Sequence, residues 1–170
     1  MKLKMRDDNP DFPGLKMGNF IFGGGFLNSR LATRIRQKEG ISYGVGSFIQ
    51  ISSHDESGVF MSYAIYNPEN KAKLEAAWND ELAKLLKDGF TEDELKQAKS
   101  GYIQYRETGR TDDGQLAGTL STYLNLNRMM KWDQDIDDKL QKMTVAQVNA
   151  VMKKLLDASK ITYVKAGDFK

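Results

Sequence analysis

The 170-residue sequence predicts an α+β domain, an antiparallel or mixed sheet with helices packed on one face. Three observations support this fold class. Two segments in the first half alternate apolar and polar residues at period two, which is typical of strands. The second half carries apolar residues at helical spacing, punctuated by capping residues and glycines. No internal repeat or linker divides the sequence, so residues 1–170 are predicted to form one domain.

The N-terminal quarter is predicted to contain a short strand and two helices. The strand spans Leu3–Arg6, and two prolines then open a helical stretch with an apolar face. Gly23–Gly25 end this helix, because glycine adopts unusual backbone conformations at little cost. The second helix covers Arg30–Lys38 and stops at Gly40.

Two strands joined by a polar hairpin loop are predicted next, at residues 43–51 and 59–65. In each strand the apolar side chains recur at alternate positions and share one face: Tyr43, Val45, Ile49 and Ile51 in the first, and Val59, Met61, Tyr63 and Ile65 in the second. Phe48 and Phe60 interrupt the opposite, polar side. The second face of the sheet is therefore predicted to be partly covered too.

Helices are predicted for most of the remaining sequence. The pair Asn67-Pro68 and the two capping boxes Thr91-x-x-Glu94 and Thr144-x-x-Gln147 mark three helix starts. A final strand, Ile161–Lys165, is predicted to close the fold. Three aromatic residues on apolar helix faces are predicted to lie in the core: Trp78, Tyr102 and Tyr105.

Composition excludes several classes of function. Lys and Arg exceed Asp and Glu by only 25 to 23, so the sequence does not predict a nucleic-acid partner. No apolar run reaches the roughly 18–20 residues that span a bilayer, and no membrane partner is predicted. There is no Cys and one His, His54, so a complete zinc site or a Ser-His triad is not expected. His54 lies in the polar hairpin loop and is predicted to be exposed.

Two polar or glycine-rich groups have plain structural explanations. The acidic run Glu92-Asp93-Glu94 follows the capping residue Thr91, where negative charges stabilise the helix dipole. Gly23-Gly24-Gly25 precedes a helix, as a phosphate-binding loop does. It lacks the Gly-Lys-Ser/Thr ending and the Gly-x-Gly-x-x-Gly spacing, so a turn between helices is the favoured interpretation.

Arg36 and Tyr43 are the candidate functional residues. Arg36 lies near the end of the helix that contains Arg30 and Arg34, and Tyr43 stands seven residues later at the start of a strand. Arginines on a short helix are usually a solvated face. A helix that ends in glycine and leads directly into a strand lets the two side chains converge, and together they could clamp a peptide or stabilise an oxyanion.

The segment Phe-Gly-Gly-Gly-Phe-Leu-Asn-Ser-Arg-Leu, followed by Arg36-x6-Tyr43-Gly, resembles the pitrilysin/insulinase family of zinc metallopeptidases. The similarity is to the C-terminal, non-zinc-binding domain of that family and covers nearly the whole chain. It implies an α+β domain that is repeated two or four times around a closed chamber in which peptides are hydrolysed. Zinc is held by a His-x-x-Glu-His motif in another domain, so the implied partner is a zinc-binding N-terminal domain of the same chain or of a partner subunit.

The resemblance assigns auxiliary catalytic roles to Arg36 and Tyr43, which would contact the peptide substrate and stabilise its oxyanion. It also places Gly23, Gly24 and Gly25 where relatives line the chamber, as substrate-binding residues. The sequence has no His-x-x-Glu-His, so it contains no assigned metal ligand and is expected to be inactive alone.

The resemblance further implies one or two strands ahead of Leu3, so the chain is interpreted as a fragment with Met1 as an added start. A non-catalytic partner or structural subunit related to processing peptidases is the alternative function. A generic α+β binding module remains if the motif match is accidental. The resemblance suggests a bacterial periplasmic location.

Overall fold

A computed structural model describes residues 1–168. Within them lie a three-stranded antiparallel sheet, ordered β1-β3-β2, and six α-helices. The strands are β1 (Lys2–Leu3), β2 (Ser42–Ile51) and β3 (Gly58–Tyr66); the helices are α1 (Phe12–Asn19), α2 (Lys71–Asp88), α3 (Glu92–Arg110), α4 (Asp113–Asn125), α5 (Met130–Lys142) and α6 (Val145–Leu155). Phe20–Gly24 and Ala32–Lys38 are π-helical, and short 3-10 turns lie at Phe26–Asn28, Pro68–Asn70 and Ala158–Lys160. The predicted α+β class is confirmed.

The helices cover one face of the sheet, as predicted. Phe60 of β3 is 1% exposed and packs near Phe22, with ring centroids 6.1 Å apart. Helix α2 supplies Trp78, whose ring meets that of Phe22 edge-on at 6.3 Å. Helices α1 and α6 add Leu15 and Met152, both fully buried. These side chains form one hydrophobic core between the sheet and the helices.

The opposite face of β3 is open, and it is the face predicted to be the apolar one. Met61, Tyr63 and Ile65 share it and are 44%, 53% and 75% exposed. The core side carries Phe60 together with small residues, including Ser62. Period-two alternation separated the two faces correctly in both strands. Val45, Ile49 and Ile51 of β2 pack against the core as predicted, so the predicted face is wrong only for β3.

Two strand predictions need correction. The first strand is Lys2–Leu3 rather than Leu3–Arg6. Residues 161–165 do not form a strand, although they pack on α2, where the Lys165 ammonium lies 2.5 Å from a Glu75 oxygen. Without a neighbouring strand to pair with, an extended segment has no ladder of hydrogen bonds.

The helix caps agree with the predictions, and two of the three aromatic positions do. Thr91 and Thr144 each form a complete capping box. Tyr102 is buried and Trp78 packs against the core, whereas Tyr105 is 68% exposed and the core prediction for it is wrong. Helical spacing places Tyr105 on the edge of the apolar face, and α3 projects that edge beyond the helices packed against it.

A buried ionic cluster joins α3, α4 and α5. Asp133 accepts hydrogen bonds from Arg110 at 2.6 Å and from the Tyr123 hydroxyl at 2.6 Å, and an Arg106 nitrogen lies 2.5 Å away. Asp137 contacts the same two arginines at 2.5 Å each. Burial alone would raise the pKa of Asp133, but hydrogen bonds from Tyr123, Arg110 and Arg106 outweigh it and lower that pKa to about 2.

Candidate functional site

Tyr43 points into solvent because β2 contains a bulge at its start. Ser42 pairs with Tyr66 and Gly44 pairs with Ile65, so Tyr43 is an extra residue in the ladder. Ser42 is 3% exposed and its hydroxyl donates to the Ile65 carbonyl at 2.6 Å, which anchors the bulge. Tyr43 is 86% exposed, instead of sharing the half-buried face of Val45 as the alternation predicted. Bulges commonly re-aim a side chain in this way next to functional sites.

Arg30 and Arg34 are held by ion pairs. The Arg30 guanidinium makes a forked contact with Glu94 at 2.5 and 2.8 Å and donates to the Gly89 carbonyl at 2.7 Å. Partial burial opposes ionisation of Glu94, but the hydrogen bond from Arg30 lowers its pKa. Arg34 pairs with Glu39, which raises the pKa of Arg34, and reaches Asp80 at 3.1 Å. Both arginines therefore join elements of the fold.

Arg36 differs from these two arginines. Within residues 1–168 no carboxylate pairs with it, and its guanidinium lies 5.8 Å from the centre of the Phe26 ring. Phe26 is 72% exposed and has a positive φ of 50°, an unfavourable conformation for a bulky residue. Arg36 is half-buried. A cation–ring contact of this kind is weak, so the donors of the guanidinium remain available to a ligand.

The glycine turn is shaped by close packing rather than by unusual dihedral angles. None of Gly23–Gly25 has a positive φ, so the explanation offered from sequence is wrong. A Cβ on Gly23 would lie 2.6 Å from the Ser47 backbone nitrogen, and one on Gly25 would lie 2.7 Å from the Phe20 carbonyl oxygen. Gly23 is buried against β2, and the turn thus fixes the position of the exposed residues that follow it.

Replacing Gly23 with alanine is expected to destabilise the folded chain by about 1–3 kcal/mol, because the new methyl group has to displace backbone. Urea unfolding measures this effect. Gly118→Ala is the matched control: its Cβ meets nothing within 4 Å on exposed α4, so about 0.4–1 kcal/mol of added stability is expected. Equal stability of the Gly23→Ala and parent chains would contradict the packing argument.

Gly24 and Gly25 line a cavity of about 330 Å³ between the turn and α3. Its floor includes Ala98 and Gly101 of α3, and Phe26 and Tyr105 are exposed members of its lining. The sequence did not single out Phe26, and it assigned Tyr105 to the core rather than to a site. For Phe26 no signal distinguished it from other loop residues, and Tyr105 has the same helical spacing as the core residue Tyr102.

Arg36 and Tyr43 are presented from neighbouring elements but do not bind each other. Neither a hydrogen bond nor a ring contact joins them in the part of the chain that the structure describes. Arg36 can supply a forked positive donor, and the Tyr43 hydroxyl a single directed donor. Both groups suit a carbonyl oxygen or a carboxylate of a ligand.

Over residues 1–168 there is no group of three His, Cys, Asp or Glu side chains that could hold an ion. His54 is exposed in the hairpin loop, as predicted. The same residues include no helix with the length and apolarity needed to cross a membrane.

Comparison with known proteins places these features in a family context. A sequence model of the "peptidase M16 inactive domain" matches residues 1–102. A "non-peptidase homolog" of Helicobacter pylori is 25% identical over 94% of this chain, and an "uncharacterized zinc protease" of Mycobacterium bovis is 30% identical over 78% of it. The chain covers 36% and 30% of those two proteins, about a third of their length.

A solved structure gives the same result. The crystal structure of a peptidase M16 inactive domain from Pseudomonas fluorescens superposes with a TM-score of 0.77 at 30% sequence identity. The match covers 91% of this chain and 36% of that one. The sheet and helices described above are therefore shared with that domain.

Proposed function

Because this chain belongs to the peptidase M16 inactive-domain family, we propose that it is the substrate-binding C-terminal domain of a longer zinc endopeptidase. Family membership confirms the resemblance found in the sequence. The observation that carries the proposal is the contrast among the three arginines. Arg30 and Arg34 form ion pairs with carboxylates, whereas the half-buried Arg36 has no acidic partner among residues 1–168.

In this proposal Arg36 and Tyr43 bind the peptide backbone of the substrate. The Arg36 guanidinium donates to a carbonyl oxygen and balances negative charge that develops there. The Tyr43 hydroxyl donates a second hydrogen bond to the same or the adjacent carbonyl oxygen. Donors placed in advance at an oxygen that becomes negatively charged stabilise the transition state more than the bound substrate.

The cavity beside the glycine turn supports a peptide ligand. Gly24 and Gly25 have no side chains, which lets a bound backbone approach the turn closely. Phe26 links this cavity to Arg36 through the ring contact, so one extended peptide could occupy both places. We expect its side chains to meet the apolar floor formed by Ala98 and Gly101.

Zinc does not fit the described part of this chain, which has no cluster of three suitable ligands. Zinc in the parent enzyme would be bound by another domain, of the same chain or of a partner subunit, and would supply the activated water. The role assigned to this domain is limited to holding and polarising the peptide.

In the intact parent enzyme, Tyr43→Phe and Arg36→Ala are each expected to lower kcat/KM about 10²-fold, the usual loss when one donor to an oxyanion is removed. Steady-state hydrolysis of a fluorogenic peptide measures the change. Tyr63→Phe and Lys38→Ala are matched controls, since both alter exposed residues nearby without removing a proposed contact. Unchanged kinetics in both test variants would reject the assignment.

A non-catalytic partner or structural subunit is the second candidate. It is favoured by the Helicobacter pylori relative, which matches 94% of the chain and is named a non-peptidase homolog. The two functions differ in what the intact protein contains. A His-x-x-Glu-His motif in the same polypeptide, together with metal-dependent peptide hydrolysis, supports the peptidase. Binding of an active zinc-containing chain by a protein without that motif supports the partner subunit.

A further inference from the structure

Three aromatic rings line the cavity beside the glycine turn, those of Phe20, Phe26 and Tyr105. The Phe20 ring is held by edge-on packing against the buried Tyr102, with ring centroids 5.2 Å apart. Phe26 and Tyr105 are exposed, at 72% and 68%. Rings exposed on one cavity, one from the turn and one from α3, gain free energy when a ligand removes them from water. The cavity therefore favours an apolar group that can touch both.

The same cavity offers no uncompensated charge. Glu94 is the one charged residue of its lining within residues 1–168, and the forked contact with Arg30 balances that carboxylate. The remaining polar side chains along the cavity are the neutral amides of Asn28, Gln97 and Gln104. A charged side chain placed here would lose hydration without gaining an opposite charge. An uncharged side chain is therefore the better occupant.

Gly101 leaves the floor of the cavity open. It lies within α3, and glycine inside a helix is less favourable than alanine. Packing does not require glycine here, since a Cβ on Gly101 would lie 3.7 Å from the Phe20 ring, an ordinary van der Waals contact. Gly14 of α1 differs, because a Cβ there would come within 2.9 Å of Val151. A local preference given up without a packing reason is expected at functional positions, and at Gly101 the space gained belongs to the cavity.

From these observations we infer that the cavity is a subsite for one aromatic side chain of a bound peptide, and that Gly101 determines this specificity. The inference rests on the proposed function and deepens it by naming the substrate class, peptides that carry a phenylalanine or a tyrosine. The bound ring packs against Phe26 and Tyr105 in the edge-on or offset arrangement that aromatic pairs prefer. Because Phe26 also contacts Arg36, the subsite adjoins the residue proposed to hold the peptide backbone.

Equilibrium binding of short peptides to the intact parent protein tests the subsite. A chelator is present, so that zinc-dependent hydrolysis does not consume the peptide, and the fluorescence anisotropy of an end-labelled peptide measures its Kd. The peptides are identical except at one central position, which is phenylalanine, leucine, alanine or lysine. Phenylalanine is expected to lower the Kd by at least about 10-fold relative to alanine, with leucine between them, and lysine is expected not to lower it.

Two substitutions show whether this preference comes from the cavity. Gly101→Leu places a side chain on the cavity floor and is expected to reduce the advantage of phenylalanine over alanine to less than about 3-fold. Tyr105→Ala removes an exposed ring of the wall without adding bulk, and is expected to reduce the same advantage by about 2- to 10-fold. Gly118→Leu is the matched control and should leave the preference unchanged. Gly118 is also a helix glycine with open space around its Cβ, but it lies on α4, outside this cavity.

Peptide binding with no preference for phenylalanine, or with a preference that both Gly101→Leu and Tyr105→Ala leave unchanged, would overturn the subsite. The proposed role of Arg36 and Tyr43 would then stand, because it concerns the peptide backbone. Absence of binding by any of the peptides would instead reject the proposed function, and the subsite with it.

A photo-cross-link locates the bound side chain directly. The peptide carries benzoylphenylalanine at the central position, and irradiation joins its ring to the nearest protein residues. After digestion with trypsin, labels are expected in fragments 17–30 and 100–106, which contain Phe26 and Tyr105. Labels confined to other fragments would overturn the inference.

Discussion

Replacing Asp133 with asparagine is expected to lower the free energy of unfolding by about 3–5 kcal/mol, the usual cost of removing one member of a buried ion pair. Asp133 is 6% exposed and is surrounded by donors from Arg106, Arg110 and Tyr123. Asparagine removes the negative charge and turns an amide donor toward these groups. Urea unfolding at neutral pH measures the loss.

Asp135→Asn provides the control for this experiment. Asp135 lies on the same helix and pairs with Lys131 at 2.6 Å, but its side chain is 45% exposed. Exposed pairs of this kind contribute about 0.3–0.5 kcal/mol, so little change is expected. A loss at Asp133 no greater than that at Asp135 would show that the cluster contributes nothing beyond a surface pair.

The contribution of Asp133 to the free energy of unfolding depends on pH. The pKa of Asp133 is about 2 in the folded chain and 3.8 is its ordinary value, so the unfolded chain binds this proton first as the pH falls. The stabilising contribution is complete above pH 4 and is lost as the pH drops from about 4 to 2, which corresponds to about 2 kcal/mol. The stability difference between the parent chain and Asp133→Asn is therefore expected to shrink over this interval.

Phe22→Ala is expected to cost about 3–5 kcal/mol, because removal of a fully buried aromatic ring leaves a cavity. Phe22 is completely buried and contacts both Phe60 and Trp78, so its ring ties the glycine turn to the sheet and to α2. Loss of this anchor also frees the segment that leads to Arg36. Thermal and urea unfolding both report the change.

Phe26→Ala is the matched control, four residues away and in the same glycine-rich segment. Phe26 is 72% exposed, and its truncation is expected to alter stability by no more than about 0.5 kcal/mol. If this domain binds peptide as proposed, the same substitution weakens that binding, since the ring contacts Arg36 and lines the cavity. Equal free energies of unfolding for Phe22→Ala and Phe26→Ala would contradict the claim that Phe22 anchors this segment while Phe26 does not.

The sequence was informative where local chemistry determines local structure. Thr91 and Thr144 specify helix starts through side chains three residues away, and both capping boxes are present. It was less informative about which face of a strand is covered. Met61 and Tyr63 look like core residues in a period-two pattern, yet burial depends on where the helices pack, which is a property of the whole fold.

The same limit applies to the candidate site. Residue type and spacing made Arg36 and Tyr43 candidates, and the resemblance supplied their proposed roles, but the sequence could not show that Arg30 and Arg34 form ion pairs elsewhere. Glu94 lies 64 residues after Arg30, and no local pattern links residues so far apart. Phe26 was missed because its positive φ and its contact with Arg36 are visible only in three dimensions.

The bulge at Tyr43 fixes the direction of this side chain independently of which residue occupies the position. The bulge exists because β2 has one more residue than its partner at this point. Replacing a side chain therefore keeps the bulge, whereas deleting a residue can remove it. Successive substitutions can therefore change what position 43 displays, from phenol to any other group, while its outward direction persists. The same backbone irregularity can therefore present a different chemical group at this exposed position without any change in the rest of the sheet.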